Sequence, residues 1–171
     1  PSRVEPFCSH FGICGGCKWQ QMDYSQQLFY KEKQVVNALQ RIGKVEVAEQ
    51  RPILGSADTK YYRNKLEFTF TNRRWFTQDE ELFDEDSPLA AGLGFHIPGR
   101  FDKVLDIETC YLQDDLSNEI RRAVKQYALD HKLKFYNMRS HKGFLRNLII
   151  RNSTLHEWMI IVVVAEDDET K

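Results

Sequence analysis

The chain has 171 residues, of which 42% are hydrophobic and 29% charged, a composition typical of one globular domain with its own core. No run of about 18 uncharged apolar residues occurs, and no apolar segment follows a basic start, so the sequence indicates neither a membrane span nor an export signal. We therefore expect a cytoplasmic monomer. Because residue 1 is proline rather than methionine, we also expect the chain to be a piece of a longer protein.

The net charge of −1 is unevenly distributed along the chain. Residues 77–91 carry six acids and no base, and residues 166–171 carry a net charge of −3, so the remaining residues carry +8. A positive body suits a polyanionic partner such as RNA. A solvated surface with two acidic loops explains the same distribution without any partner.

The first elements in chain order are an irregular loop and a helix. Residues 7–18 hold three cysteines with glycines between them, which predicts a tight loop without regular structure. Residues 24–42 predict a helix that ends at Gly43, because apolar side chains recur at helical spacing while lysines and glutamines cover the other side. The apolar positions are Leu28, Val35, Leu39 and Ile42.

A strand is predicted next, over residues 61–71. Apolar and polar side chains alternate strictly from Leu66 to Phe70. Such alternation is typical of a strand with one buried face, and it predicts that Lys65, Glu67 and Thr69 face solvent.

Two shorter strands and a second helix follow the acidic residues. Residues 92–97 and 103–107 predict strands joined by a turn that contains Pro98 and Gly99. Residues 115–131 predict a helix. One face of this helix carries Leu116, Ile120, Val124 and Tyr127.

The last two predicted strands are the longest, at residues 143–151 and 157–165. The polar connector 152–156 between them predicts a hairpin. Strands in adjacent pairs, with helices between the groups, indicate an α+β fold. We therefore predict a largely antiparallel sheet flanked by two helices, with an N-terminal glycine-rich cysteine loop.

Four cysteines, Cys8, Cys14, Cys17 and Cys110, form the clearest candidate site. The first three have the spacing C-x5-C-x2-C, and the fourth lies 93 residues after Cys17 at a predicted strand end. Disulfides fit an even number of cysteines but not a chain without an export signal. Structural zinc sites usually combine two short C-x2–4-C pairs. A [4Fe–4S] cluster needs one thiolate for each iron, and the spacing favours this interpretation while leaving the others open.

The residues around these cysteines resemble a known family. The run 8–28, C-S-H-F-G-I-C-G-G-C-K-W-Q-Q-M-D-Y-S-Q-Q-L, is similar to the cluster-binding opening of bacterial RNA uracil-C5 methyltransferases. Three further blocks are similar in the same order, namely 62–68, then 93–96 with 106–112, then 145–151. Together they cover nearly the whole chain, and the resemblance is to the branch that modifies 23S ribosomal RNA.

The resemblance implies that Cys8, Cys14, Cys17 and Cys110 ligate one [4Fe–4S] cluster. It also implies that residues 1–171 are a single central domain. Residues 1–23 would be its cluster-binding loop, and residues 24–171 an α+β domain that contacts RNA. In the family, a small N-terminal barrel precedes this domain and a methyltransferase domain follows it, and we expect both to be absent here.

By the same resemblance, the full enzyme uses S-adenosylmethionine to methylate a flipped-out uracil of 23S rRNA. A cysteine thiolate adds to C6 of the uracil and a carboxylate base removes the C5 proton. We expect no catalytic and no S-adenosylmethionine-binding residue in this sequence. All four cysteines serve as ligands, and no glycine-rich strand-to-helix loop followed by an acid occurs. The chain by itself should therefore be inactive.

Basic and aromatic side chains are the candidates for RNA contact, because they can reach phosphates and unstacked bases. Two other functions stay open, a zinc-stapled nucleic-acid-binding module and a ferredoxin-like electron carrier. A cluster could act as a structural staple or as a redox sensor, and we favour the staple. The candidate RNA contacts are Arg63, Lys65, Arg73, Arg74, Trp75, His96, Arg100, His141, Lys142, Arg146 and Arg151.

Overall fold

The computed structural model of the chain describes residues 3–76 and 87–165. Within these residues the chain forms two α-helices and one five-stranded sheet. A π-helical segment, Ala38–Ile42, continues the first helix, and a 3-10 turn, Pro88–Ala90, precedes the second strand. In chain order the elements are α1 Tyr24–Asn37, β1 Lys65–Thr71, β2 Gly92–His96, β3 Val104–Asp106, α2 Asp115–Asp130, β4 Leu145–Asn152 and β5 Trp158–Val164.

The strands lie in the order β3-β2-β1-β4-β5, and all neighbouring strands are antiparallel. The predicted α+β fold with an antiparallel sheet and two helices is therefore confirmed. β4 and β5 form the predicted hairpin. The central strand β1 pairs with both β2 and β4, so the middle of the sheet depends on residues far apart in the sequence.

One face of the sheet carries the core. Phe68 of β1 lies opposite Leu148 of β4, and Phe70 lies opposite Leu93 of β2. All four side chains are fully buried, and each burial stabilises the fold by about 1.5–3 kcal/mol. α2 packs against this cluster, and Cys110 belongs to it. The candidate site is therefore built on the core rather than on a peripheral loop.

β1 starts later than predicted. It begins at Lys65 rather than at residue 61, because the preceding backbone bonds to another segment. The N–H of Tyr61 donates to the carbonyl of Tyr111, and the N–H of Arg63 donates to that of Leu112, each at 2.8 Å. The approach to β1 is thus tied to the residues that follow Cys110.

The prediction that Thr69 faces solvent is wrong. Lys65 and Glu67 are exposed as expected, but Thr69 is buried. Polar side chains of the neighbouring strands cover it. Its Oγ1 lies 3.3 Å from Nε2 of His96 on β2 and accepts from Nδ2 of Asn147 on β4 at 3.4 Å. Alternation along one strand does not show what the adjacent strands place above it.

α1 begins where Asp23 caps it, since the Asp23 side chain accepts from the N–H of Ser25 at 2.9 Å. The helical region ends at Gly43, as predicted, although the left-handed residue is Lys44, with φ 50°. α1 contains no buried residue. Its apolar side is open, with Val35 58% and Ile42 84% exposed. Helical spacing predicted the helix correctly, but the rest of the described chain covers its apolar side only in part, since Leu28 is half-buried beside Gly55.

α2 begins after Asp114, whose side chain accepts from the N–H of Leu116 at 3.0 Å. Ile120 and Val124 pack against the core, but Leu116 and Tyr127 are exposed, so the predicted apolar face is only partly buried. The fully buried positions of α2 are largely polar. They are Ser117, Asn118, Arg121 and Ala128.

β5 is an edge strand whose apolar side chains are unusually exposed to solvent. It contains no charged residue, and five of its seven side chains are 39–56% exposed. They belong to Met159, Ile160, Ile161, Val162 and Val164. Because successive side chains of a strand alternate between faces, both faces of β5 are open to solvent.

Some sequence features lie outside the described residues. The six acids of the predicted loop fall within residues 77–86, and the predicted acidic tail is residues 166–171. Among the residues that the structure describes, no helix has the length and apolarity needed to cross a membrane.

The buried arginine of α2 yields a stability prediction. Arg121 donates to the carbonyls of Ile107 and Glu108, so Arg121→Met would leave the buried carbonyl of Ile107 without this donor. We expect the free energy of unfolding in urea to fall by about 2–4 kcal/mol. The matched variant Arg122→Met, at an exposed position of the same helix, removes only an exposed 3.3 Å bond to the Glu108 carbonyl and should change the free energy of unfolding by less than about 0.5 kcal/mol. Equal effects of the two variants would contradict this account.

Candidate metal centre and basic surface

All four cysteines line one cavity. Cys8, Cys14 and Cys17 come from the N-terminal loop, and Cys110 comes from the segment after β3. The thiols are close enough to influence one another, because Cys8, Cys14 and Cys17 all raise the pKa of Cys110 electrostatically. The fold thus brings together four side chains that are as much as 102 positions apart.

The cysteine loop is docked on the end of β2. The N–H of Gly15 donates to the carbonyl of His96 at 3.1 Å. A Cβ at Gly15 would lie only 2.4 Å from that carbonyl oxygen, so no larger residue fits without moving the loop. The adjacent Gly16 is less constrained, since a Cβ there would come no closer than 3.5 Å, to Sγ of Cys14.

A histidine joins the loop to the segment that carries Cys110. The N–H of Glu108 donates to Nε2 of His10 at 3.0 Å. Burial lowers the pKa of His10, although the negative charge of Glu108 partly opposes this shift. The neutral ring is therefore favoured. Neutral imidazole is the form that can accept this hydrogen bond.

Cys110 itself is held by the side chain of Asn118. Oδ1 of Asn118 accepts from the N–H of Cys110 at 2.8 Å, and Nδ2 donates to its carbonyl at 3.0 Å. Both backbone groups of Cys110 are therefore satisfied by one amide, which fixes the residue rigidly against α2.

Arg121 binds the residues just before Cys110. Its guanidinium donates to the carbonyls of Ile107 and Glu108, and it lies 5.5 Å from the ring of Phe68. Burial lowers the pKa of Arg121 to about 10, so the group remains charged at neutral pH. Nε of Arg121 is buried and has no hydrogen-bond partner among the described residues. Arg121 is therefore a buried cation that interacts electrostatically with Cys110, and its Nε–H group is available to donate a further hydrogen bond.

The thiols of Cys14 and Cys110 are not predisposed to ionise without a bound cation. Burial raises the pKa of Cys110 to about 11 and also raises that of Cys14, where the N–H of Gly16 partly offsets the effect by donating to Sγ. A nucleophilic cysteine needs the opposite shift. This environment suits ligands that ionise on binding a metal.

The side chains do not form a ready site for a single ion. Within residues 3–76 and 87–165, no group of three or more His, Cys, Asp or Glu side chains could hold a metal ion as it stands. A tetrahedral zinc ion needs its four sulfur atoms about 3.8 Å apart, from a Zn–S distance of about 2.3 Å. The cysteines share a cavity, but they are not gathered around one point.

The predicted RNA contacts fall into separate groups on the surface. Arg63, Lys65 and Arg151 lie at one end of the β1–β4 pair, where Lys65 is directly opposite Arg151. All three are exposed. Lys65 also lies 3.4 Å from Glu67, an exposed ion pair that leaves the lysine accessible.

A second group surrounds Tyr136. The guanidinium of Arg146 lies 4.7 Å over the Tyr136 ring, and the Tyr136 hydroxyl lies 3.3 Å from Nδ1 of His141. Lys142 is exposed beside them, with its carbonyl accepting from the N–H of Asn137. His141 and Lys142 lie in the turn before β4, whereas Arg146 lies near the start of β4.

Most of the remaining candidates for RNA contact are partly buried and bonded to, or packed against, other parts of the fold. Nε of Arg74 donates to the carbonyl of Leu89 at 2.7 Å, and Trp75 packs against the core. His96 is half-buried in β2, and burial lowers its pKa. Arg73 is partly buried after β1, whereas Arg100 is exposed between β2 and β3. The eleven candidates therefore do not form one continuous patch.

Several residues that build the site were not predicted from the sequence. Asn118 and Arg121 lie on α2, which the apolar pattern alone identified, and His10 and Gly15 lie inside the cysteine loop. A polar residue on a helix face gives no sign of its partner when the partner is a backbone group of a distant segment. The only usable signal was their spacing, since Asn118 and Arg121 are three positions apart and share one helix face.

Known proteins similar to the chain are RNA methyltransferases. The chain is 57% identical to an uncharacterized RNA methyltransferase of Bacteroides thetaiotaomicron, over 99% of the chain and 38% of that protein. It is 51% identical to one of Porphyromonas gingivalis, over 98% of the chain and 37% of that protein. It is 43% identical to an uncharacterized RNA methyltransferase of Chlorobaculum tepidum, over 96% of the chain and 34% of that protein. The chain therefore spans well under half of these relatives. No family model matches it.

A solved structure extends the comparison to the fold. The crystal structure of Pyrococcus abyssi tRNA (uracil-54, C5)-methyltransferase in complex with S-adenosyl-L-homocysteine matches with a TM-score of 0.66 and 27% identity. The match covers 98% of the chain and 33% of that protein. The chain is thus similar to RNA methyltransferases in sequence and to a tRNA uracil-C5 methyltransferase in fold.

The docking of the cysteine loop can be tested at its glycines. Gly15→Ala places a methyl group against the His96 carbonyl, so we expect the loop to move away and the free energy of unfolding to fall by about 1–3 kcal/mol. The same movement should speed the reaction of Cys14 and Cys17 with a thiol reagent. Gly16→Ala meets only ordinary contacts and is the matched control. Unchanged thiol reactivity in Gly15→Ala would show that the loop does not depend on this contact.

Proposed function

We propose that the chain is the [4Fe–4S]-binding, RNA-contacting central domain of an S-adenosylmethionine-dependent 23S rRNA uracil-C5 methyltransferase. One observation carries the proposal. Cys110 shares a cavity with Cys8, Cys14 and Cys17, in a chain whose relatives are RNA methyltransferases. Those relatives support RNA as the substrate, and the sequence resemblance is what favours 23S rRNA in particular.

The residues around the cavity suit an iron–sulfur cluster. Its four irons each take one thiolate, so the sulfur ligands are spread around the cluster rather than around one point. Gly16 leaves room beside Cys14, and Arg121 adds a buried positive charge near Cys110 that offsets an anionic four-thiolate site. When bound, the cluster would supply a covalent cross-link between the N-terminal loop and residue 110. We therefore propose a structural staple rather than a redox function.

The chain's own residues do the positioning. Asn118 holds the backbone of Cys110, and Arg121 holds the two carbonyls before it. Gly15 and His10 bring the other three thiols to the same place. These contacts reduce the movement that cluster binding requires of the polypeptide. The exposed cations Arg63, Lys65, Arg151, Lys142 and Arg146 are the proposed phosphate contacts.

We also propose that further domains adjoin this one, with an N-terminal barrel before it and a methyltransferase domain after it. The chain covers 38% and 37% of the two most similar relatives named above. The open apolar faces of β5 and of α1 agree with this proposal, since exposed apolar surfaces of that extent mark interfaces. Catalysis and S-adenosylmethionine binding would belong to the adjoining domain.

Metal analysis distinguishes the proposal from its alternatives. The chain purified without oxygen should contain about four irons and four sulfides. Cys110→Ser should lose most of this iron, whereas Thr109→Ala, a variant of a non-sulfur residue lining the same cavity, should retain it. One zinc and no iron would instead identify a zinc-stapled nucleic-acid-binding module. Reversible reduction at a physiological potential would favour an electron carrier.

Methyl transfer tests the assigned parent enzyme. With radiolabelled S-adenosylmethionine, the 171-residue chain should transfer no label to RNA. A protein of the relatives' full length that contains this chain should label uracil in a 23S rRNA transcript and not in tRNA transcripts. Labelling of tRNA alone would contradict the ribosomal target while leaving uracil-C5 methylation in place.

A further inference from the structure

A second, larger cavity lies beside the cysteine site. Its volume is about 480 Å³, which is in the range of small-ligand sites. It lies between the N-terminal loop, the first turns of α1 and residues 56–62. Cys17 and Gln20 line both this cavity and the cysteine cavity. We call it the aromatic groove, because Phe7, Trp19, Tyr24 and Tyr62 line it.

Three of these aromatic side chains are open to solvent. Trp19 is 39% exposed, Phe7 40% and Tyr62 57%. Large exposed aromatic side chains around one concavity are costly in water and are typical of a surface that binds a flat apolar ligand. Nucleobases stack on such rings in single-stranded RNA complexes.

Trp19 is held in place before any ligand arrives. Its carbonyl accepts from Nε2 of Gln27 at 3.1 Å and from the N–H of Met22 at 3.0 Å. Nζ of Lys31 lies 5.5 Å from the indole ring. A fixed backbone at this position lowers the entropy that is lost when a base stacks on the ring.

The charges of the groove favour a base over a phosphate. Lys18 and Lys31 line it, but so do Glu5, Asp23 and Asp58. Asp23 is engaged in capping α1, where its Oδ1 accepts from Ser25. The other two carboxylates can accept hydrogen bonds from exocyclic amino groups, as carboxylates do from N4 of cytosine. Uracil has no amino group to donate.

We propose that the aromatic groove binds an unpaired, amino-bearing base of the RNA substrate, stacked on Trp19 and flanked by Tyr62. This inference rests on the proposed RNA-contacting function. The bound base is not the uracil that is methylated. Because Gln20 accepts from the N–H of Cys8 at 3.2 Å and lines the groove, the base would lie against the loop that carries the cysteines.

The test measures binding of labelled ten-nucleotide oligo(C) and oligo(U) to the 171-residue chain by fluorescence anisotropy. We expect oligo(C) to bind at least about fivefold more tightly than oligo(U), because only cytosine can donate to the carboxylates. Trp19→Ala should weaken oligo(C) binding about tenfold, and Tyr62→Ala should weaken it as well. Trp19→Phe should remain within about threefold of the original chain, because it keeps a ring.

Two controls separate stacking from other effects. Phe101→Ala removes a 69% exposed aromatic residue that does not line the groove and should leave binding unchanged. The dependence of affinity on salt should be the same for Trp19→Ala and the original chain, because no phosphate contact is lost. If Trp19→Ala fails to fold, as judged by urea unfolding, Tyr62→Ala and Trp19→Phe still provide the test.

The outcomes distinguish the groove from the function on which it rests. If the original chain binds oligo(C) and neither Trp19→Ala nor Tyr62→Ala weakens it, the groove proposal is wrong and the RNA-contacting function stands. Equal binding of oligo(C) and oligo(U) also overturns the proposed preference for an amino-bearing base. If the iron-loaded original chain binds neither oligonucleotide, both the groove and the RNA-contacting role are wrong.

Discussion

Among the described residues, the backbone of 107–110 has no sheet partner after β3 ends, and polar side chains of α2 bond to it instead. Asn118 bonds to both backbone groups of Cys110, while Arg121 bonds to the carbonyls of Ile107 and Glu108. Buried backbone groups must be paired, so this segment and α2 depend on each other. The position of Cys110 follows from the pairing, and so does the cavity that the cysteines share.

Two hydrogen bonds attach the N-terminal loop to this framework, in addition to the packing of Cys14 and Cys17 against the core. Gly15 bonds to the end of β2, and His10 accepts from Glu108. Neither contact buries much apolar surface, so each contributes about 1 kcal/mol at most. A loop held in this way can open for the assembly of a metal centre and would be stabilised by the centre once bound. The aromatic groove is formed by the same loop, so its shape depends on the same contacts.

Much of the fold could be predicted from local patterns. Both helices and all five strands were predicted. Apolar side chains recur with a period of about 3.6 residues in the helical segments and about 2 residues in the strand segments. The errors occurred where burial depends on neighbours. Thr69 is covered by His96 and Asn147, and the apolar side of α1 is left largely open. Neither outcome can be inferred from the segment in which it occurs.

The sequence alone determined the elements, the antiparallel class of the sheet and the choice of Cys8, Cys14, Cys17 and Cys110 as a candidate set. Whether the fourth thiol meets the other three was decided only by the tertiary structure, because the meeting depends on α2 and β2 holding two segments about 100 positions apart. The roles of buried polar side chains were decided there too. Their partners are backbone groups, which are the same at every position of a sequence and become specific only when the chain is folded.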